Sequence, residues 1–237
     1  MRIVAVIQAR LGSTRLPGKI LLPLGGKSML RNVVQRVQRA KRIHDVWCTI
    51  PGDWGAPMLL PTLDRCDVLV NWSLEASTND LIYRLLDTAR TAKADAIIRV
   101  CADNPCVEPE EIDRLVLIQK ATADFYKRIL LVNSEHFDQN FDGFGGEFYT
   151  LETLEWMDKV IKDPLYREHP HKIWHYLGLY NYVGEYYPPG FRLDVNTPAE
   201  YEKLKDIYDH FEHNHFTVKE VMEYLGTKNL EEWPVFT

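Results

Sequence analysis

Short β-rich runs alternate along the chain with longer segments in which apolar residues recur every three or four positions. The runs at residues 3–7, 46–50, 67–70 and 96–100 predict strands of a sheet that is covered on both faces. Between the first two runs, apolar side chains recur at positions 30, 33, 34 and 37, and this spacing predicts a helix over residues 29–40. The alternation predicts an α/β fold, with a mostly parallel sheet wound between helices on both faces.

Capping residues mark several helix starts. The stretch Ser77-Thr-Asn-Asp80 resembles a capping box with Asp in place of Glu, and it predicts a helix that ends near residue 91. Pro109 is followed by two glutamates and predicts another helix, because proline fits the first turn and acids favour the N-terminal dipole. Capping boxes that begin at Thr197 and Thr217 predict two further helices.

The strand–helix rhythm breaks between residues 124 and 190, where aromatic residues become dense. We therefore divide the single domain into a core of residues 1–123 and 191–237 and a smaller subdomain of residues 124–190. An apolar run at residues 191–195 predicts a return to the sheet. Exposed aromatic residues in the subdomain would suit a dimer contact, and ordinary core packing explains them equally well.

The charge distribution is uneven. The chain has a net charge of −6, yet residues 1–44 contain ten Lys or Arg and no Asp or Glu. So acidic a chain argues against extended nucleic-acid binding, whereas a localised anion site in the first 44 residues fits the pattern. The chain contains no uncharged apolar run of 18 residues, so no membrane span is predicted. The N-terminal apolar stretch is too short for a signal peptide. We expect a cytoplasmic protein.

Cysteine and histidine patterns point away from metal and disulfide sites. The four cysteines include no CxxC pair, so we expect reduced, mostly buried thiols. The cluster His210-x-x-His213-x-His215 resembles a zinc tract, but its polar and helical surroundings favour a solvated surface.

Three predicted strand ends carry unusual polar residues, and ligands of wound parallel sheets gather at the carboxyl ends of strands. The first is the loop Gln8-Ala-Arg-Leu-Gly-Ser-Thr-Arg-Leu-Pro-Gly-Lys19, whose glycines, backbone N–H groups and cations suit a phosphate. The second places Asp103 just past a strand, and the third places Asp194 and Asn196 on one side of another. Carboxylates that face a phosphate loop predict a magnesium ion that bridges protein oxygens to phosphate oxygens.

Two familiar phosphate-binding motifs are absent from the sequence. Gly25-Gly-Lys-Ser28 resembles the end of a P-loop, but the glycine required at position 21 is Leu21. The chain also has no G-x-G-x-x-G for a dinucleotide.

The stretch IQARLGSTRLPGKILLPLGGKSML at residues 7–30 resembles the N-terminal signature of the cytidylyltransferases that activate acidic sugars. That family includes the acylneuraminate and 3-deoxy-octulosonate enzymes, and the likeness is greatest to its spore-coat polysaccharide branch. The resemblance continues in order along the chain through Asn79-Asp-Leu-Ile-Tyr-Arg84, Arg99-x-x-Ala-Asp-Asn-Pro105, Gly143-x-x-x-Glu147, Arg167-Glu-His169 and Asp194-Val-Asn-Thr-Pro198.

The resemblance implies a Rossmann-like, three-layer nucleotidyltransferase fold and a homodimer built through the smaller subdomain. It also implies a reaction in which CTP and an acidic acceptor give a CMP- or CDP-product and pyrophosphate, with magnesium as the cofactor. A phosphate or carboxylate acceptor is already an anion and needs no general base, whereas a sugar hydroxyl would need one, and the sequence offers no candidate for it. The products would be precursors of surface polysaccharides or glycoconjugates.

The resemblance also implies roles for individual residues. Arg10, Lys19 and Asp103 would be the catalytic residues, and Asp103, Asp194 and Asn196 would hold magnesium. The nucleotide would be bound by Ala9, Arg10, Leu11, Gly12, Ser13, Arg15, Lys19, Asp80, Arg84 and Ala102. The acceptor would be bound by Glu147, Arg167 and His169.

The chain departs from the family pattern at several positions. Asn196 stands where a second aspartate is usual and is a weaker metal ligand without charge. Thr49-Ile-Pro51 replaces the usual turn near the base, and Gly145-Gly146 replaces a bulkier, more acidic pair in the acceptor loop. Two alternatives therefore stay open: the same fold with another nucleotide donor or with glycosyl transfer, and a nucleotide-binding protein without turnover.

Overall fold

The computed structural model describes residues 1–53, 55–74, 77–122, 132–133, 143–173, 180–181 and 192–226. The described strands are β1 (Ile3–Gln8), β2 (Pro23–Leu24), β3 (Lys27–Ser28), β4 (Asp45–Pro51), β5 (Leu69–Ser73), β6 (Ala96–Cys101), β7 (Val132–Asn133), β8 (Glu147–Thr150) and β9 (Tyr180–Asn181). The described helices are α1 (Met29–Val37), α2 (Ala56–Leu63), α3 (Leu81–Thr91), α4 (Pro109–Thr122), α5 (Leu151–Val160), α6 (Pro164–Glu168), α7 (Pro198–Phe211) and α8 (Val218–Gly226). Short 3-10 turns lie at Lys19–Leu21 and Pro170–Ile173.

Seven of the described strands form one sheet in the order β5-β4-β1-β6-β8-β7-β9, and β2 pairs with β3 in a separate hairpin. Strands β5, β4, β1 and β6 are parallel, whereas β8 runs antiparallel to β6. The mostly parallel sheet that the sequence predicts is therefore confirmed. Because β1 lies in the middle of the parallel part, its carboxyl end is flanked by those of β4 and β6.

Helices cover both faces of the sheet, as predicted. Ile3, Ala5 and Ile7 of β1 pack in a buried cluster with α1, α2 and α4. Val4 and Val6 point to the opposite face and pack with α3 and α5. A third buried cluster joins α7 and α8 to the hairpin and to Leu193 and Val195. Three layers result, with the apolar strand β1 buried between the two outer ones.

Several element boundaries differ from the sequence prediction. The first helix ends at Val37 rather than at residue 40, and the third predicted strand lies at Leu69–Ser73. The helix predicted to begin at Ser77 begins later, because Asp80 is its N-cap and accepts a hydrogen bond from the Tyr83 N–H. Both C-terminal capping boxes form as predicted.

The prediction of a strand over residues 191–195 is wrong for its described part. Arg192 forms an isolated bridge, and residues 193–195 belong to no strand. The reason is that the Val195 N–H donates to the Asp103 carbonyl, 2.9 Å away, instead of entering a ladder. This loop contact brings residues 194–196 to the end of β6.

About half of the smaller subdomain lies outside the described residues. Of the tyrosines behind the predicted dimer contact, Tyr180 lies in β9, whereas Tyr176, Tyr182, Tyr186 and Tyr187 lie outside the described residues. Within its described part, β8 joins the central sheet beside β6. Cys48, Cys66 and Cys106 are buried thiols, and burial raises the pKa of Cys48 and Cys106 to about 12. Across the described residues, no helix is long and apolar enough to cross a membrane.

Candidate functional site at the carboxyl ends of strands β1 and β6

The loops that follow β1 and β6 start side by side. Gln8 lies opposite Cys101 in the parallel ladder, and the Ala102 N–H donates to the Gln8 carbonyl at 3.2 Å. On the other side, the Ala9 N–H donates to the Thr49 carbonyl of β4 at 3.0 Å. The basic loop of residues 9–19 and the segment that carries Asp103 therefore leave the sheet at one edge.

Lys19 is the centre of the first cluster at this edge. Gly18 adopts a left-handed conformation with a φ of 67°, and the short 3-10 turn that follows directs Lys19 inward. The Lys19 ammonium pairs with the Asp103 carboxylate and donates to the Val195 carbonyl at 2.6 Å and to the Asn196 Oδ1 at 3.0 Å. We call these four residues the lysine cluster.

Asn196 connects the lysine cluster to two further charged groups. Its Oδ1 also accepts from Arg15 at 2.8 Å, and its Nδ2 donates to Asp194 Oδ2 at 2.5 Å. Arg192 binds both oxygens of Asp194, at 2.9 and 2.7 Å. A Cβ on Gly143 would lie 2.2 Å from the Asp194 backbone nitrogen, so the close packing of these two backbones requires glycine.

The oxygens of the lysine cluster suit a hard divalent cation. A carboxylate, a backbone carbonyl and a side-chain amide converge on the Lys19 ammonium, and the same oxygen types are ligands that magnesium accepts in proteins. Asp103 remains a quarter exposed, whereas Asp194 is held by Arg192. The predicted metal ligands therefore lie together, with Asp103 the accessible carboxylate among them.

A pocket beside the lysine cluster forms the second part of the site, and we call it the arginine pocket. It is lined by Gln8, Ala9, Arg10, Thr78, Asn79, Leu81, Arg84, Arg99, Glu168 and His169. Three arginines and a single carboxylate give this pocket a positive charge. It brings together Ala9, Arg10 and Arg84, which were predicted to bind the nucleotide, and His169, which was predicted to bind the acceptor.

Arg10 crosses the arginine pocket between two partners. It donates to Asn79 Oδ1 at 2.6 Å and to Glu168 Oε1 at 2.8 Å. The charge of Arg10 is therefore compensated by a carboxylate from α6.

Arg84 is buried with no carboxylate at ion-pair distance among the described residues, and the negative charge of Asp53 acts on it only from farther away. Only 3% of the residue is exposed, and its Nε and Nη1 have no hydrogen-bond partner among the described residues. No ion pair within the described part of the chain involves it. Burial and the neighbouring Arg10 charge lower the pKa of Arg84 to about 10, so the guanidinium stays protonated at neutral pH.

Arg99 is the third cation of the pocket and is held firmly. It forms a buried ion pair with Glu147 on β8, and its Nε donates to the Gln8 side chain at 2.9 Å. The Tyr149 hydroxyl also donates to Glu147. Burial alone would raise the pKa of Glu147, but the charge of Arg99 holds it below its ordinary value. Glu147 therefore lies behind the pocket, where it orients Arg99.

Asp80 and Arg167 bind each other rather than projecting freely into the pocket. The Arg167 Nε donates to Asp80 Oδ2 at 2.9 Å, and its Nη2 donates to Asp158 at 2.7 Å. The remaining Asp80 oxygen caps α3. This pair fastens α6 to the start of α3 and thereby places Glu168 and His169 at the pocket.

The other predicted loop residues support the loop itself. Ala9, Leu11 and Ala102 are buried, and the Ser13 hydroxyl accepts from the Leu16 N–H at 3.3 Å. A Cβ at Gly12 would meet no other atom within 4 Å, so close packing does not explain the glycine at this position. Of the predicted cations, Arg10 and Lys19 thus lie at opposite ends of the loop and face different parts of the site.

Four further residues line the arginine pocket and were not predicted as site residues: Gln8, Asn79, Arg99 and Glu168. Gln8 and Arg99 lie at or near the carboxyl ends of β1 and β6, and this position was the signal in the sequence that could have identified them. The histidine cluster plays no comparable part: His210 stacks on Tyr224 at a ring distance of 3.8 Å. Among the described residues no group of three or more His, Cys, Asp or Glu side chains could hold a metal ion.

Comparison with known proteins gives the site its context. A family model described as cytidylyltransferase matches residues 4–213. The spore coat polysaccharide biosynthesis protein SpsF of Bacillus subtilis is 28% identical over 225 residues, covering 87% of this chain and 86% of SpsF. An 8-amino-3,8-dideoxy-manno-octulosonate cytidylyltransferase of Shewanella is 25% identical over 231 residues, covering 91% of this chain and 88% of that enzyme.

A solved cytidylyltransferase structure from Leptospira borgpetersenii superposes with a TM-score of 0.89 at 27% identity, and the match covers 100% of both chains. Fold, family model and relatives agree, and the resemblance found in the sequence is confirmed. The chain belongs to the cytidylyltransferase family and is a nucleotidyltransferase.

Proposed function

We propose that this protein transfers CMP from CTP to an anionic small-molecule acceptor and releases pyrophosphate. The observation that carries the proposal is the loop of residues 9–19, which bears Lys19 at one end and Arg10 at the other. Lys19 faces Asp103, while Arg10 faces a separate cationic pocket. One loop thus serves two anionic substrates. The relatedness to SpsF suggests a role in precursors of surface polysaccharides.

In this mechanism Lys19 and Arg15 bind the triphosphate, assisted by backbone N–H groups of the loop. Their charges stabilise the negative charge that develops on the pyrophosphate leaving group. Lys19 now contacts Asp103, Val195 and Asn196, so triphosphate binding exchanges at least part of these contacts for phosphate oxygens. The acceptor attacks the α-phosphorus in line and displaces pyrophosphate. A carboxylate or phosphate nucleophile needs no general base, whereas a sugar hydroxyl needs one.

Magnesium would be held by Asp103, with Asn196 and Asp194 beside it, and would neutralise charge on the triphosphate. Asp103 is the principal candidate because Asp194 is engaged by Arg192. The binding of magnesium, the homodimer through the subdomain and the cytoplasmic location are parts of this proposal.

The test is a pyrophosphate-release assay with magnesium, in which CTP, UTP, ATP and GTP are each combined with a panel of acidic and phosphorylated sugars. We expect release with CTP and at least one acceptor, and a loss of about 10²-fold or more in Lys19→Met and Asp103→Ala. Lys205→Met is the matched control, because Lys205 is an exposed lysine paired with Asp209 on α7. An Asp103→Ala variant with the wild-type rate would contradict the role of Asp103, and release with UTP alone would contradict the donor.

A further inference from the structure

The cations at this edge of the sheet differ in how their charge is compensated. Lys19 pairs with Asp103, Arg10 with Glu168 and Arg99 with Glu147. Arg84 is as deeply buried as any of them, yet it has no ion pair among the described residues and has two unpartnered nitrogens. Since a buried, unpaired charge is costly, a cation kept in this state points to a ligand that supplies the missing anion.

The position of Arg84 separates that ligand from the triphosphate. Arg84 projects from α3 into the arginine pocket, where His169 and Glu168 approach from the segment around α6. Lys19, which suits the triphosphate, lies in the lysine cluster, and Arg15 donates to Asn196 of the same cluster. The carboxylate of Glu168, which lines the arginine pocket, already binds Arg10, so the charge of the pocket suits an oxyanion.

We propose that Arg84, with Arg10 and His169 beside it, binds the carboxylate or phosphate group of the acceptor. This inference rests on the proposed function, and it moves both Arg84 and Arg10 from the nucleotide to the acceptor. Arg99, fixed by Glu147 and Gln8, orients the pocket rather than supplying an uncompensated charge. The acceptor class is therefore a small molecule whose anionic group is buried on binding.

The test uses inorganic phosphate as the probe and the full chain saturated with CTP and magnesium, so that the triphosphate site is filled. Phosphate is titrated while the melting temperature is recorded, with potassium chloride at equal ionic strength as the reference. We expect saturable stabilisation of the wild type, at least tenfold weaker binding in Arg84→Met and an intermediate affinity in Arg84→Lys. Arg90→Met is the matched control, because Arg90 lies on the same helix but is exposed.

Three results would overturn the inference. Arg84→Met could bind phosphate as the wild type does, which would exclude Arg84 from the anion site. It could instead lose stabilisation by CTP, which would assign Arg84 to the nucleotide. A clear fall in the melting temperature of ligand-free Arg84→Met would show a structural role, since removing an unpaired buried charge should not destabilise the fold. If the wild type fails to bind CTP, the proposed function fails, and the phosphate titration without CTP still tests Arg84.

Discussion

The ion pair between Arg99 and Glu147 allows a quantitative test of how the pocket is held in place. Both side chains are buried, with exposures of 7% and 3%. Glu147→Gln keeps the shape and an acceptor for the Tyr149 hydroxyl, but it leaves the Arg99 charge buried without its carboxylate. Breaking a buried pair on one side costs about 3–5 kcal/mol. For a chain of this size that corresponds to a fall of roughly 6–20 °C in melting temperature.

The exposed pair of Arg90 and Glu155 provides the matched control. Its side chains are 58% and 48% exposed, and such surface pairs contribute about 0–1 kcal/mol. Urea unfolding of Glu147→Gln, Glu155→Gln and the wild type therefore compares the same chemical change in two environments. The double variant Arg99→Met/Glu147→Gln should regain part of the loss, because it removes both charges.

The pH dependence gives the same test a second readout. The pKa of Glu147 lies below its ordinary value in the folded protein, so the unfolded chain takes up the proton first as the pH falls. The stability that Glu147 contributes is present above about pH 4.5 and is lost as the pH falls through the folded pKa. Glu147→Gln should lack this component. Equal destabilisation by Glu147→Gln and Glu155→Gln, or an unchanged acid profile, would refute the reasoning.

Two further predictions concern Glu108, which accepts a hydrogen bond from the Val218 N–H, and Thr197, the N-cap of α7. Burial raises the pKa of Glu108 from 4.5 to about 7, so the stability linked to this group is greatest below about pH 4.5 and is lost as the pH rises through 7. Urea unfolding of Glu108→Gln from pH 5 to 8 should show a flatter profile than the wild type, and a parallel profile would contradict the assignment. Thr197→Ala should lower the free energy of unfolding by about 1 kcal/mol, because Thr197 caps α7 beside Asn196. Thr197→Ser should retain most of that stability, and equal losses in the two variants would argue against the cap.

The main features of the fold and of the lysine cluster follow from the sequence because they depend on local patterns. The apolar run of β1 predicts a buried central strand, and parallel strands bring their carboxyl ends to one edge. Lys19 and Asp103 therefore meet although they are 84 residues apart. The sequence pattern is sufficient here because Asp103 lies just after β6 and Lys19 ends the loop that follows β1 in the same sheet.

What the sequence could not show depends on partners that are distant in the chain. Ser77 and Asp80 are both good capping residues, and the sequence does not decide between them. In the structure Asp80 caps α3 with one carboxylate oxygen, while Arg167, 87 residues away in the chain, binds the other. The strand expected at residues 191–195 is replaced by a loop whose Val195 N–H bonds to Asp103. The charge of Arg99 is neutralised by Glu147 of β8, whereas Arg84 of α3 is buried with two unpartnered nitrogens among the described residues. No pattern along the chain reveals this difference.

Asn196 stands where the family pattern usually carries a second aspartate, and its contacts explain why an amide suits this chain. Its Nδ2 donates to Asp194 at 2.5 Å, whereas a carboxylate at position 196 would face that carboxylate with like charge. Its Oδ1 accepts from Arg15 and Lys19, as a carboxylate oxygen would. The amide therefore keeps both cations in place while Arg192 neutralises Asp194. The replacement therefore keeps the contacts that the proposed triphosphate site requires, and the enzyme proposed above does not need an aspartate at position 196 to hold Arg15 and Lys19.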